Sequence, residues 1–272
     1  MDFNTSIVLN NGVQIPVLGL GTYLATGKEA YDASLFALQY GYRHIDSAAF
    51  YKNEKEIGQA VEDSGVKRDE IFVTTKLWNS DQGYDSALRA FEKSLNNFGF
   101  DYIDLYLIHW PLTGKRKDSW KALERIYEEK LARSIGISNY TIRHIEELKT
   151  YANVMPVVNQ VEFNPFLYQK ELQEYCEENG IFIEAYTPLT RRKKFKDPVL
   201  RELAGKYGKT VAQILIRWAL QIHTIVLPKS VNRERITENA NIFDFEISED
   251  DMAKLNNLNE DYRITWDPSN EL

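Results

Sequence analysis

The chain has 272 residues, 33 Lys+Arg against 40 Asp+Glu for a net charge of −7, and 12% aromatic residues. The acidic balance excludes a general nucleic-acid binder, which needs an excess of Lys and Arg, and the aromatic content excludes a disordered chain. A single cysteine cannot close an intramolecular disulfide, and no apolar run approaches the ~18 residues of a membrane helix, so a cytoplasmic protein without membrane contact is expected.

Met1-Asp2-Phe3-Asn4 opens the chain without the basic and apolar regions of a signal peptide. Asn11-Gly12, between Ile7-Val8-Leu9 and Val13-Gln14-Ile15, predicts an N-terminal β-hairpin with a two-residue turn at positive φ. Short β-rich runs follow at 17–22, 44–47, 71–77, 104–110, 134–138, 157–163, 181–187 and 224–229. Between them, helix-period stretches predict helices over 29–40, 54–64, 84–98, 118–130, 141–150, 170–179, 198–222 (broken around Gly208) and 233–241. Asn53 and Thr141 stand where N-caps belong, and Gly180 follows the sixth helix as a stop.

Eight strands, each followed by a helix, predict a parallel sheet with right-handed crossovers. Polar residues end successive runs at 46, 76, 109, 139, 160, 186 and 229, spacings that average about 30 residues. No Pro/Gly/Ser-rich linker divides the chain, so a single (β/α)₈ TIM barrel over residues 1–272 is expected. The competing open, doubly wound sheet normally carries a glycine fingerprint on its first βα turn. Here Gly19-Leu20-Gly21-Thr22-Tyr23-Leu24 lacks the third glycine, and tight barrel packing accounts for the first two equally well.

In such a barrel, functional side chains gather at the C-terminal strand ends. Asp46, Lys76 and His109 end three adjacent runs, and Tyr51 lies on the loop just above Asp46. Taken singly, each has a structural explanation: an ion pair, a satisfied barrel histidine, an aromatic lid. Together they make a proton-donating site. A tyrosine pKa near 10 is lowered by an ammonium within ~4–6 Å, a part Lys76 fits, with Asp46 holding that lysine in place. His109 would orient a carbonyl whose oxygen gains negative charge.

The segment Gly41-Tyr42-Arg43-His44-Ile45-Asp46-Ser47-Ala48-Ala49-Phe50-Tyr51-Lys52-Asn53-Glu54 resembles the signature of the aldo-keto reductases. So does Leu227-Pro228-Lys229-Ser230-Val231-Asn232-Arg233-Glu234-Arg235-Ile236-Thr237-Glu238-Asn239. The resemblance runs on through Lys76-Leu77-Trp78, Ile108-His109-Trp110-Pro111, Gly136-Ile137-Ser138-Asn139, Val158-Asn159-Gln160-Val161-Glu162-Phe163-Asn164-Pro165 and Ala185-Tyr186-Thr187-Pro188-Leu189, spanning the chain to about residue 258. It implies a barrel that reduces small aldehydes and ketones with NADPH, with Tyr51, Lys76, His109 and Asp46 as the catalytic four and Tyr51 as general acid.

The same resemblance places Ser138, Asn139 and Gln160 at the nicotinamide carboxamide and Tyr186 against the nicotinamide ring. Gly21, Thr22, Thr187, Leu189 and Val231 complete the cofactor contacts, with Glu238 and Asn239 near the adenine. Lys229, Ser230, Asn232 and Arg235 meet at a helix N-terminus after the last strand, a recurrent phosphate site; their cations favour the 2′-phosphate of NADPH over NADH. Asn139 and Gln160 have an alternative as strand-end caps, and Lys229 and Arg235 as helix caps. Tyr23, Phe50, Trp78, His109 and Trp110 are implied to line an aromatic substrate pocket, fairly open because Leu112–Lys117 and the tail after Arg263 are short.

The loop Arg191-Arg192-Lys193-Lys194-Phe195-Lys196 departs from relatives, which commonly carry small residues there. Its cations suit either NADPH capture or a plain solvated loop. His44, His144, His223 and Cys176 show no metal-ligand spacing, and Cys176 reads as a small buried apolar residue. Two further readings stay open: an NADPH-binding redox-sensing subunit with little turnover, and a Schiff-base aldolase using Lys76. A small-molecule substrate and a monomeric state are expected.

Overall fold

The computed structural model describes residues 1–271. The N-terminal hairpin pairs β1 (Ser6–Val8) with β2 (Gln14–Pro16). Its turn differs from the expected two-residue form. Leu9 N–H reaches Val13 O, enclosing three residues, and only Gly12 takes a positive φ, 84°. Such a loop needs left-handed geometry at one position, and glycine supplies it there. Asn10 and Asn11 donate to Pro156 O, Gly180 O and Arg133 O across the base of the barrel. Leu9 and Ile15 pack on Phe72, Leu105, Leu107, Val158 and Ile225, so the hairpin plugs the N-terminal end.

The barrel strands are β3 (Leu20–Gly21), β4 (His44–Asp46), β5 (Phe72–Leu77), β6 (Ile103–Ile108), β7 (Ala132–Ser138), β8 (Val158–Glu162), β9 (Phe182–Tyr186) and β10 (Ile225–Leu227). Each pairs in parallel with its sequence neighbour. Bridges from Leu18 to Val226 and from Gly21 to Lys229 join first strand to last. The two glycines of the G-x-G segment sit on this seam. A Cβ at Gly19 would stand 2.6 Å from Leu227 Cδ2, and one at Gly21 would stand 3.1 Å from Leu227 O. A side chain at Gly19 would clash and one at Gly21 would crowd the seam, so packing accounts for both glycines without a phosphate fingerprint.

Between strands run α1 (Gly27–Tyr40), α2 (Glu54–Asp63), α3 (Tyr84–Phe98), α4 (Arg116–Glu128), α5 (Ile142–Lys149), α6 (Lys170–Glu178), α7 (Pro198–Tyr207) and α8 (Val211–Gln221), and α9 (Arg233–Ala240) follows β10. Gly208, at φ 61°, ends α7 where the break was expected. Asn53 precedes α2 but does not cap it. Its side chain instead accepts from Ser47 Oγ and donates to Thr22 O and Ala25 O, tying the loop after β3 to the loop after β4. A tenth helix, α10 (Glu249–Asn256), was not anticipated. It buries only Asp251 and Leu255, so its apolar period is faint; its signal lay in Ser248 followed by three acids, which favour a helix N-terminus. No helix among the described residues is long and apolar enough to cross a membrane.

Candidate active site

The strand ends deliver their polar side chains to one rim. Asp46 closes β4, Lys76 lies one residue from the end of β5, and His109 follows β6 directly. Parallel register sets Asp46 beside Thr74 and Lys76 beside Leu107, bringing carboxylate and ammonium across neighbouring strands. Tyr51 ends the 3₁₀ turn Ala49–Tyr51 just above. The four residues predicted from sequence therefore converge.

Lys76 is 0% exposed and its three donors face three acceptors: Asp46 Oδ1 at 2.7 Å, Asp46 Oδ2 at 2.8 Å and Ser47 O at 2.7 Å. Gln160 Nε2 donates to Asp46 Oδ1 from the far side at 2.8 Å. Lys76 Nζ lies 5.1 Å from the Tyr51 ring centroid. From sequence, Lys76 is expected to lower the Tyr51 pKa. In the structure, burial first and then the charge of Asp46 hold the phenol well above its ordinary value. The Asp46 carboxylate cancels the nearby ammonium, so the proton stays on Tyr51 across the neutral range. His109, 5.9 Å from Tyr51 between ring centroids, is pushed well below the usual imidazole value by burial and then by Lys76. It is neutral at neutral pH and keeps one N–H to donate.

From this corner a cleft of about 610 Å³ extends along the C-terminal face. Its walls include Gly21, Ser138, Asn139, Gln160, Tyr186 and Leu189, and it reaches Lys229, Ser230, Asn232, Arg235 and Asn239 at the far end. Thr187, Val231 and Glu238 also line it. Thr22 does not; its buried hydroxyl donates to Asp46 O at 2.8 Å behind the wall. The amides of Asn139 and Gln160 already have partners within the chain. Asn139 Nδ2 donates to His109 O and its Oδ1 accepts from Tyr186 OH, while Gln160 Nε2 spans Asp46 and Glu184. At the far end, Asn232 caps α9 by accepting from Arg235 N–H. Among the described residues neither Lys229 nor Arg235 is paired with a carboxylate, which leaves two cations facing open space.

Aromatic rings line the cleft beside Tyr51. Phe50 stacks on Trp78 at 3.9 Å, Trp78 meets His109 edge-on at 5.1 Å, and Tyr23 leans on Tyr51 at 5.1 Å. Sequence reasoning missed the contribution of the tail. Short as it is, the tail crosses the rim and sets Trp266 edge-on to Trp110 at 5.7 Å. Buried Glu162 holds it, accepting from Ile264 N–H, Thr265 N–H and the Thr265 hydroxyl. Thr265 Oγ1 in turn lies 3.0 Å from Tyr186 OH. Glu162 stood inside a recognised motif, but nothing in its spacing marked it as an anchor.

In the basic loop, Arg191 and Arg192 line the cleft, both at positive φ, and the Arg191 guanidinium lies 5.7 Å from the Tyr23 ring. Lys194 is committed elsewhere, paired with Glu260 and set over the Tyr262 ring at 4.1 Å. Cys176 is fully buried and its thiol is pushed up to about 12, as its apolar role requires. No group of His, Cys, Asp and Glu among the described residues could hold a metal ion.

A closed parallel barrel with an Asp–Lys pair, a tyrosine and a neutral histidine on one rim matches known proteins throughout. The sequence model of the Aldo/keto reductase family matches residues 17–260, and the chain belongs to that family. It is 48% identical to the glyoxal reductase of Bacillus subtilis over 264 residues, covering 97% of this chain and 96% of that one. An aldo-keto reductase from a deep-sea metagenome library superposes with a TM-score of 0.95 at 44% identity, covering 97% and 99%. A Bombyx mori aldo-keto reductase in complex with NADP aligns with a TM-score of 0.92 at 37% identity, covering 97% and 96%.

Proposed function

We propose that the protein reduces small aldehydes and ketones to alcohols with NADPH, and that Tyr51 donates the proton. The observation that carries this reading is the buried lock of Lys76 on Asp46 and Ser47 beneath a protonated phenol and a neutral imidazole. The donor set fits the cofactor: an elongated cleft with amides near Tyr51 and two unpaired cations at its other end. Tyr186, tied through its hydroxyl to Asn139 and Thr265, offers a fixed aromatic wall for the nicotinamide. Lys229 and Arg235, with Ser230 and Asn232, would hold the 2′-phosphate.

When bound, the nicotinamide supplies a hydride to the carbonyl carbon. The chain does the rest. His109 donates a hydrogen bond that fixes the carbonyl oxygen, and Tyr51 gives that oxygen its proton as negative charge builds. Asp46 and Lys76 keep the floor of the site rigid and net neutral, and the aromatic rim excludes water. Lys76 is poorly placed for the aldolase alternative, because a fully matched ammonium is not a nucleophile. Absorbance at 340 nm with NADPH and a panel of aldehydes, ketones and sugars tests the reading. Tight NADPH binding without turnover would instead favour the redox-sensing alternative. The proposal carries with it a monomeric, cytoplasmic enzyme.

Two predictions concern the cofactor end. Lys229→Ala/Arg235→Ala is expected to weaken NADPH binding by about 10- to 100-fold, as loss of charge-assisted hydrogen bonds does, and to change NADH binding little. Fluorescence titration checks it, and an unchanged NADPH:NADH preference would refute the phosphate assignment. Neutralising Arg191 and Arg192 as glutamines is expected to slow NADPH association roughly 3- to 10-fold at low salt, with the difference fading as salt rises. Stopped-flow rates that keep their value and salt dependence would leave the loop as solvated surface.

A further inference from the structure

Beneath the Asp46–Lys76 pair the barrel interior holds a second acid. Glu184 on β9 is 0% exposed, and its Oε2 accepts from Gln160 Nε2 at 2.6 Å. The same amide donates to Asp46 Oδ1 at 2.8 Å, so one glutamine bridges two buried carboxyls while Lys76 is the only ammonium among them. The other oxygen, Oε1, is buried and has no hydrogen-bond partner among the described residues. It lies 3.6 Å from His44 Nε2. His44 Nδ1 faces Pro16 O at 3.3 Å, which places the ring proton on Nδ1, and the lone pair of Nε2 accepts from the Thr74 hydroxyl at 3.2 Å, so His44 has no donor to offer Oε1.

This geometry disfavours an ionised Glu184. A carboxylate would bury a charged Oε1 with no donor to meet it, whereas a protonated carboxyl carries no charge there. Charge balance agrees: Lys76 and Asp46 cancel, and a second carboxylate would leave the interior net negative. The charged and titratable groups facing Glu184 are His44 and Asp46 from β4 and Lys76 from β5, with the Gln160 amide from β8. Burial, followed by the charge of Asp46, pushes the Glu184 carboxyl up to about 8, against Gln160 and Lys76. His44 is held down to about 3 and stays neutral throughout.

We propose that Glu184 is a positioning residue for the reduction: as a neutral carboxyl it holds Gln160 on Asp46, and on ionising it places a second negative charge under Lys76 that makes Tyr51 a weaker acid. The proposal rests on the assignment of Tyr51 as proton donor. It differs from a structural role in what it predicts for pH. Glu184 is protonated in acid and loses its proton as pH rises, so its support of turnover is present at low pH and lost on the alkaline side.

The test compares wild type with Glu184→Gln, which keeps shape and cannot ionise. Wild-type kcat for reduction is expected to fall up to about tenfold between about pH 7 and pH 9, the span of one titration near 8, while the variant falls less than about twofold. Infrared spectra of the wild type should show the carbonyl stretch of a protonated carboxyl near pH 6 that fades as pH rises and is absent from the variant. The same alkaline fall in a folded Glu184→Gln overturns the proposal, and so does the absence of that band in the wild type. The spectra need no turnover, so they stand even where the glutamine variant fails to fold. A Tyr51→Phe variant separates the two ideas: full turnover there overturns Tyr51 as donor, whereas a missing band overturns Glu184 alone.

Discussion

Tyr51→Phe is expected to lower turnover by about 10²- to 10⁴-fold, the usual contribution of a positioned proton donor, while leaving NADPH affinity within about twofold. The ring fills the same place and keeps its contacts with Tyr23 and His109, so only the hydroxyl is removed. The phenol is protonated throughout the neutral range and so has a proton to give. Burial and Asp46 keep the proton on Tyr51 until an alkoxide, a far stronger base than water, develops beside it. Steady-state rates at 340 nm and a fluorescence titration read the two quantities separately. Retained turnover would move the proton-donating role to another group, with His109 the nearest candidate.

Asp46→Asn is expected to destabilise the protein by about 3–5 kcal/mol, because it strands the Lys76 ammonium in a site without solvent. For a chain of this size that corresponds to a fall in Tm on the order of 10 °C. Lys76→Met strands the opposite charge at a comparable cost. The double variant Asp46→Asn/Lys76→Met removes both charges, and replacing a whole buried pair is often neutral. It should therefore melt above either single variant while remaining without turnover. A thermal double-mutant cycle checks this, and a double variant as unstable as the sum of the singles would show that the pair is not energetically coupled.

The fold was legible because strand and helix periods alternate with regular cadence, and all eight barrel strands lie where the apolar runs predicted. The rim was legible for a geometric reason: the last polar residue of a barrel run must face the C-terminal end, which made Asp46, Lys76 and His109 visible together. Three kinds of feature escaped. The hairpin turn has one residue more than Asn-Gly implies, because a three-residue loop also satisfies that dipeptide. Helix α10 carries too little apolar surface for periodicity to find. The third kind is long-range polar pairing. Glu184 and Gln160 are 24 positions apart, and Glu162 and Thr265 are 103 apart. Such partners follow from strand register and from the path of the tail, which no local pattern encodes.

The lowered acidity of Tyr51 also shows how composition can mislead about charge. The sequence places an ammonium near a phenol, and that alone implies a stronger acid. Only the structure shows that at Tyr51 burial and the Asp46 carboxylate outweigh that ammonium.

The Thr265 hydroxyl touches both Glu162 and Tyr186, so the strip of chain that carries Trp266 over the rim, proposed to wall the substrate, also braces the ring proposed to flank the nicotinamide. Exchanging that strip to admit bulkier carbonyls would therefore slacken the brace, and choice of carbonyl and residence time of the dinucleotide would shift as one. An engineer who wants to change only the first must keep the Glu162–Thr265–Tyr186 relay and redesign from Trp266 onward.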